Sequence, residues 1–70
     1  MSALRKHSLE IAGHRTSITL EDIFWKALRD AAKSRGRSLN DLVTEIDEAR
    51  EGNLSSAIRV YVLKVAQGEI

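Results

Sequence analysis

The 70-residue chain contains no cysteine and no proline, and only one Trp, one Tyr and one Phe. Without cysteine there are neither disulfides nor cysteine-rich zinc sites to staple so small a domain. One core of this size supplies only a few kcal/mol of net stability. With so few aromatics, the remaining support is a second copy of the chain. Long apolar runs are missing too: none approaches the roughly 20 residues that span a bilayer. The N-terminus lacks the apolar stretch of a signal peptide, so a cytoplasmic protein without a membrane segment is expected.

Reactive groups are equally scarce. There is no thiol nucleophile, and His7 and His14 do not share a spacing that puts two ligands on one helix face. The four glycines are isolated and form no phosphate-cradling loop. A catalytic site needs convergent reactive groups. The chain therefore reads as a non-enzyme with no metal and no cofactor.

What charge there is lies unevenly. Residues 1–20 carry Arg5, Lys6 and Arg15 against Glu10 (+2), and residues 21–37 carry Lys26, Arg29, Lys33, Arg35 and Arg37 against Glu21, Asp22 and Asp30 (+2). Residues 38–53 reverse the sign, with Arg50 against Asp41, Glu45, Asp47, Glu48 and Glu51 (−4), and residues 54–70 restore +1. A basic N-terminal half with an acidic side turned away suits a nucleic-acid face.

Residues 14–20 hold the pattern around which the chain is organised. Ile18 and Leu20 alternate with Arg15, Ser17 and Thr19, the period of a half-buried strand. One short strand with one apolar face does not stand alone in water. Its partner is expected in another copy, and a two-fold ribbon would then show Arg15, Ser17 and Thr19 twice on its polar face. A two-stranded ribbon fits the DNA major groove, where Arg reads guanine and hydroxyls donate or accept at base edges. Upstream, residues 1–7 read as a flexible basic arm. Leu9 and Ile11 have the opposite parity to Ile18 and Leu20, which a turn or bulge at Gly13 explains. A short hairpin within one chain and a bent extension of the strand both remain open, so residues 1–13 are an arm or a short extra strand.

Three helical patterns follow. Phe24, Trp25, Leu28, Ala31 and Ala32 form an apolar stripe over 21–35, started at Thr19 or Glu21 and stopped by Gly36. Ser38 is placed to cap a second helix over 38–50, with Leu39, Leu42, Val43 and Ile46 at helical spacing. Its first amides, beside Arg35 and Arg37, make a phosphate site. Asn53 caps a third helix over 54–66, whose stripe of Leu54, Ala57, Ile58, Tyr61, Val62 and Val65 must be buried on its own chain, on a second copy, or on a different protein.

Strand, helix, Gly-x-Ser turn and helix in this order resemble the ribbon-helix-helix superfamily, which includes the Arc and Met repressors. The residues that carry the resemblance are Arg15-Thr16-Ser17-Ile18-Thr19-Leu20-Glu21, the Leu28 stripe, Gly36-Arg37-Ser38-Leu39-Asn40-Asp41-Leu42, and Ile46. Ala12-Gly13-His14 with Phe24-Trp25, and Asn53-Leu54-Ser55-Ser56-Ala57-Ile58-Arg59-Val60, are similar to a group of small, poorly characterised bacterial members.

The resemblance implies an α+β, mostly α fold. One N-terminal strand pairs antiparallel across a homodimer, and two core helices are followed by an additional C-terminal helix. It implies double-stranded DNA as partner, with Arg15, Ser17 and Thr19 as base readers. Ser38, Leu39 and Asn40 become the phosphate clamp, joined by Lys33, Arg35 and Arg37. Ile18, Leu20, Phe24, Trp25, Leu28, Leu42, Val43 and Ile46 become the dimer core. A transcriptional regulator, a repressor, is the function this points to. Its rivals are the antitoxin of a toxin and antitoxin pair, and a protein-interaction module that keeps the fold without DNA binding. A protein partner at the third helix would fit either rival.

Overall fold

Ala12 and Gly13 connect two extended segments and both have positive φ, 51° and 81°. That is the backbone of a type I′ turn, whose twist matches two antiparallel strands. The computed structural model describes residues 4–70. Within them β1 (Leu4–Ile11) pairs antiparallel with β2 (His14–Glu21), from Ile11 opposite His14 to Leu4 opposite Glu21. The strand that the sequence sends to another copy for its partner thus finds one in its own chain. The physical reason is the two-residue turn: it converts the opposite parities of the two apolar pairs into one face, and Leu9, Ile11, Ile18 and Leu20 are all buried there. Residues 4–7, expected in a flexible arm, belong to β1; residues 1–3 of that arm lie outside the described residues.

Three helices follow, α1 (Asp22–Ser34), α2 (Leu39–Ala49) and α3 (Leu54–Ala66). Glu21 is the N-cap of α1 but makes no side-chain cap bond. Gly36, at φ 65°, closes α1: its N–H reaches the Lys33 carbonyl at 3.1 Å and the Arg37 N–H reaches that of Ala32 at 3.0 Å. These paired bonds satisfy two carbonyls the helix would otherwise leave open. Ser38 Oγ accepts from the Asp41 amide at 3.0 Å, and Asn53 Oδ1 accepts from the Ser56 amide at 2.8 Å. Each side chain thereby starts the helix that follows it.

The inner face of the hairpin lies on the helices. Leu28, Ala31, Ala32, Leu42, Val43, Ile46, Ile58 and Val62 join its four apolar residues in a single cluster. Six of the eight residues assigned to a dimer core, Ile18, Leu20, Leu28, Leu42, Val43 and Ile46, are buried within one chain, and Phe24 and Trp25 are half-buried at its margin. The imidazole of His7 stacks on Trp25 with ring centres 3.8 Å apart, which covers one face of the indole. Helix α3 packs on its own chain. Ile58 and Val62 are buried, Ser55 Oγ donates to the Thr19 carbonyl at 2.9 Å, and Arg59 Nε lies 2.9 Å from Glu21 Oε1.

Candidate nucleic-acid interface

Because partners across an antiparallel pair share a face, the outer face of the hairpin is fixed by the register. Lys6 stands opposite Thr19, Ser8 opposite Ser17, and Glu10 opposite Arg15, all exposed. Arg15, Ser17 and Thr19, the expected base readers, therefore share one solvent-facing surface. Lys6, Ser8 and Glu10, which the sequence reading left out, are interleaved with them.

In a hairpin with a two-residue turn the flanking pair, Ile11 and His14, is hydrogen bonded, and the pattern alternates from there. The backbone groups of His14, Thr16, Ile18 and Leu20 then face β1, and those of Arg15, Ser17 and Thr19 face away. The Ser55 hydroxyl meets the Thr19 carbonyl on that outward edge.

The two strands also repeat each other. Arg5-Lys6-His7-Ser8-Leu9-Glu10-Ile11 aligns with His14-Arg15-Thr16-Ser17-Ile18-Thr19-Leu20, nine residues later. A two-fold axis through the Ser8 and Ser17 pair exchanges the strands: Lys6 takes the place of Arg15, Leu9 that of Ile18, and Ile11 that of Leu20. The repeat is visible in the sequence as matched cations, serines and apolar residues. The offset of nine is odd, so the two segments sit in opposite parity along the chain.

A second basic surface lies where α1 meets α2. Arg29, Asp30, Ala32, Lys33, Arg37 and Leu39 line an open groove of about 450 Å³. Lys33, Arg37 and Leu39 were expected to act on phosphate; Arg29, one turn before Lys33 on the same face, joins them. Arg35 is directed elsewhere, its guanidinium 5.7 Å from the centre of the Tyr61 ring.

Arg37 is held in place by α2, with Nη1 2.8 Å from Glu45 Oε1 and Nη2 3.2 Å from the Asp41 carbonyl. Ser38 caps the Asp41 amide and the Leu42 amide reaches the Ser38 carbonyl at 3.1 Å. The amides of Leu39 and Asn40 are left as the donors of the first turn. Asp30, the one acid in the groove, is engaged by Lys26 at 3.0 Å.

The Arg59 hydrogen bond, followed by the Glu21 backbone amide, holds the Glu21 carboxyl below the usual carboxylate range. Among the described residues no cluster of three His, Asp or Glu is placed to hold a metal ion, and no helix is long and apolar enough to cross a membrane.

Comparison with known proteins agrees with this architecture. Residues 4–66 match the model of the ribbon-helix-helix domain. Among solved structures, an uncharacterized protein from Bordetella pertussis Tohama I superposes with a TM-score of 0.77 at 27% identity over 97% of this chain. This chain spans 62% of the length of that protein. Comparison with curated proteins gave no match. The match over residues 4–66 places the chain in the ribbon-helix-helix domain family.

Proposed function

We propose that the chain is a cytoplasmic transcriptional regulator that binds double-stranded DNA sequence-specifically, with the outer face of its hairpin in the major groove. The observation that carries this reading is the hairpin itself: a two-stranded ribbon whose inner face is buried and whose outer face presents exposed Arg15, Ser17 and Thr19. Arg15 reads guanine, and the two hydroxyls take base-edge donors or acceptors. Arg29, Lys33, Arg37 and the amides of Leu39 and Asn40 engage the phosphates, which position the ribbon without reading sequence.

The unit that enters the groove is the hairpin of one chain. Pairing β2 with the β2 of a second copy would make a four-stranded sheet about 14 Å across its backbones, wider than the groove at about 12 Å. Ser55 also occupies the outward edge at Thr19. A homodimer in this reading sets two hairpins on two half-sites of a palindrome. Regulator is favoured over antitoxin by α3, whose apolar face is spent on its own core through Ile58 and Val62.

The test is selection from randomised duplexes at two salt concentrations, alongside the mass of the free protein. A selected site, with affinity falling steeply as salt rises, supports the reading. Arg15→Ala should flatten the preference at one base by roughly 1–3 kcal/mol. Lys33→Ala should weaken all sequences alike and reduce the salt slope by about 0.9. Equal losses on every sequence for both variants would refute the assigned roles, and a protein that ignores DNA at low salt would refute the function.

A further inference from the structure

We infer that β1 is the second base-reading strand of the ribbon, and that Glu10 makes its readout asymmetric by accepting a hydrogen bond from a cytosine amine. The inference rests on the DNA-binding reading and deepens it. Its ground is the internal two-fold relation of the hairpin, in which Lys6 occupies the place of Arg15 and Ser8 that of Ser17. Any surface that brings Arg15, Ser17 and Thr19 to bases brings Lys6, Ser8 and Glu10 with them, because the strands of a pair are only about 4.8 Å apart.

On the outer face Glu10 is where the two halves differ in charge class, since the related position on β2 is Thr19. Its carboxylate stands directly opposite Arg15, both residues are exposed, and neither takes part in an ion pair among the described residues. A guanidinium donor beside a carboxylate acceptor is complementary to a G·C base pair. In the major groove guanine offers the acceptors O6 and N7, and cytosine offers the N4 amine as a donor.

A carboxylate near phosphates is repelled on every sequence and is compensated only where that amine meets it. Glu10 therefore acts chiefly by penalising the wrong base. The hairpin reads an ordered, non-palindromic set of bases, even where two chains bind a palindrome as a whole.

The experiment is selection from randomised duplexes with the full chain, comparing the unsubstituted protein with Glu10→Ala and Glu10→Gln. The unsubstituted chain should select cytosine next to the guanine that depends on Arg15. Glu10→Ala should lose that cytosine preference by about tenfold or more, while affinity for random-sequence DNA rises and the other positions keep their bases. Glu10→Gln should move the preference to adenine, whose N6 and N7 suit an amide.

If a site is selected but Glu10→Ala leaves every position unchanged, the inference is overturned and the DNA-binding reading stands. If Glu10→Ala flattens only the guanine, Glu10 positions Arg15 and reads nothing, which also overturns it. A chain that selects no site overturns both readings.

Discussion

Replacing Ile58 with Ala tests whether α3 is part of the domain's own core. Ile58 has no exposed surface and lies among Leu20, Leu28 and Leu42, which are fully buried as well. Truncating such a side chain removes three carbons and leaves a cavity that packed neighbours fill only in part, at a cost of about 2–5 kcal/mol. A single core of this length supplies roughly 3–5 kcal/mol of net stability. The variant should therefore lose a third of its stability or more.

In a thermal scan each kcal/mol moves Tm by about 4–8 °C in domains of this size, so a fall of about 8 °C at least is expected. Val60→Ala on the same helix is the internal control, because Val60 is 51% exposed. It should stay within about 0.5 kcal/mol of the parent. Urea titrations followed by circular dichroism at one protein concentration give both values. If Ile58→Ala cost no more than Val60→Ala, α3 would not be seated on the sheet and helices as described.

Ala12 holds φ 51°, a conformation costly for a residue with a Cβ and suited to Asn at the first position of a type I′ turn. Ala12→Asn should stabilise by roughly 0.5–1 kcal/mol, read as a Tm rise of a few degrees; a fall would mean that the hairpin turn is of another type. Ser38→Ala removes the bond to the Asp41 amide and should cost about 1 kcal/mol, seen as a lower urea midpoint at unchanged slope. The carboxyl of Glu21 is depressed by Arg59, so its contribution to stability is fully present above the ordinary carboxylate range and is lost as pH falls from that range through the lowered value. Glu21→Gln should flatten the decline of the urea midpoint between about pH 6 and about pH 3; an unchanged decline would assign the pH dependence to other carboxyls.

The helices were legible because their signals are local. Leu42, Val43 and Ile46 mark a buried face by spacing alone, and Gly36, Ser38 and Asn53 stop and start helices by chemistry that acts within a few residues. The partner of β2 was not legible in that way. Arg5-Lys6-His7 reads as solvated chain, yet His7 lies against Trp25, a contact 18 positions away in sequence that no local pattern announces. The turn gave little help, because Ala-Gly is a weaker signal than Asn-Gly for two residues at positive φ.

Without β1 in view, the apolar face of β2 has no local partner in the sequence, and only the register supplies one. Within one chain, Leu20 and Leu42 already lie buried in a core shared by the hairpin and the helices. The candidate site was half visible for the same reason. Arg15, Ser17 and Thr19 alternate within one segment, whereas Lys6, Ser8 and Glu10 join them only through the register.

The proposed function turns most directly on where DNA touches the protein. The measurement is a titration of the nitrogen-15-labelled chain with a selected duplex, following every backbone amide. The largest shifts should fall on Lys6, Ser8, Glu10, Arg15, Ser17 and Thr19, with a second group at Leu39 and Asn40, while the outer positions of α3 at Val60 and Leu63 stay in place. Shifts concentrated on α3 with a silent hairpin would contradict the account.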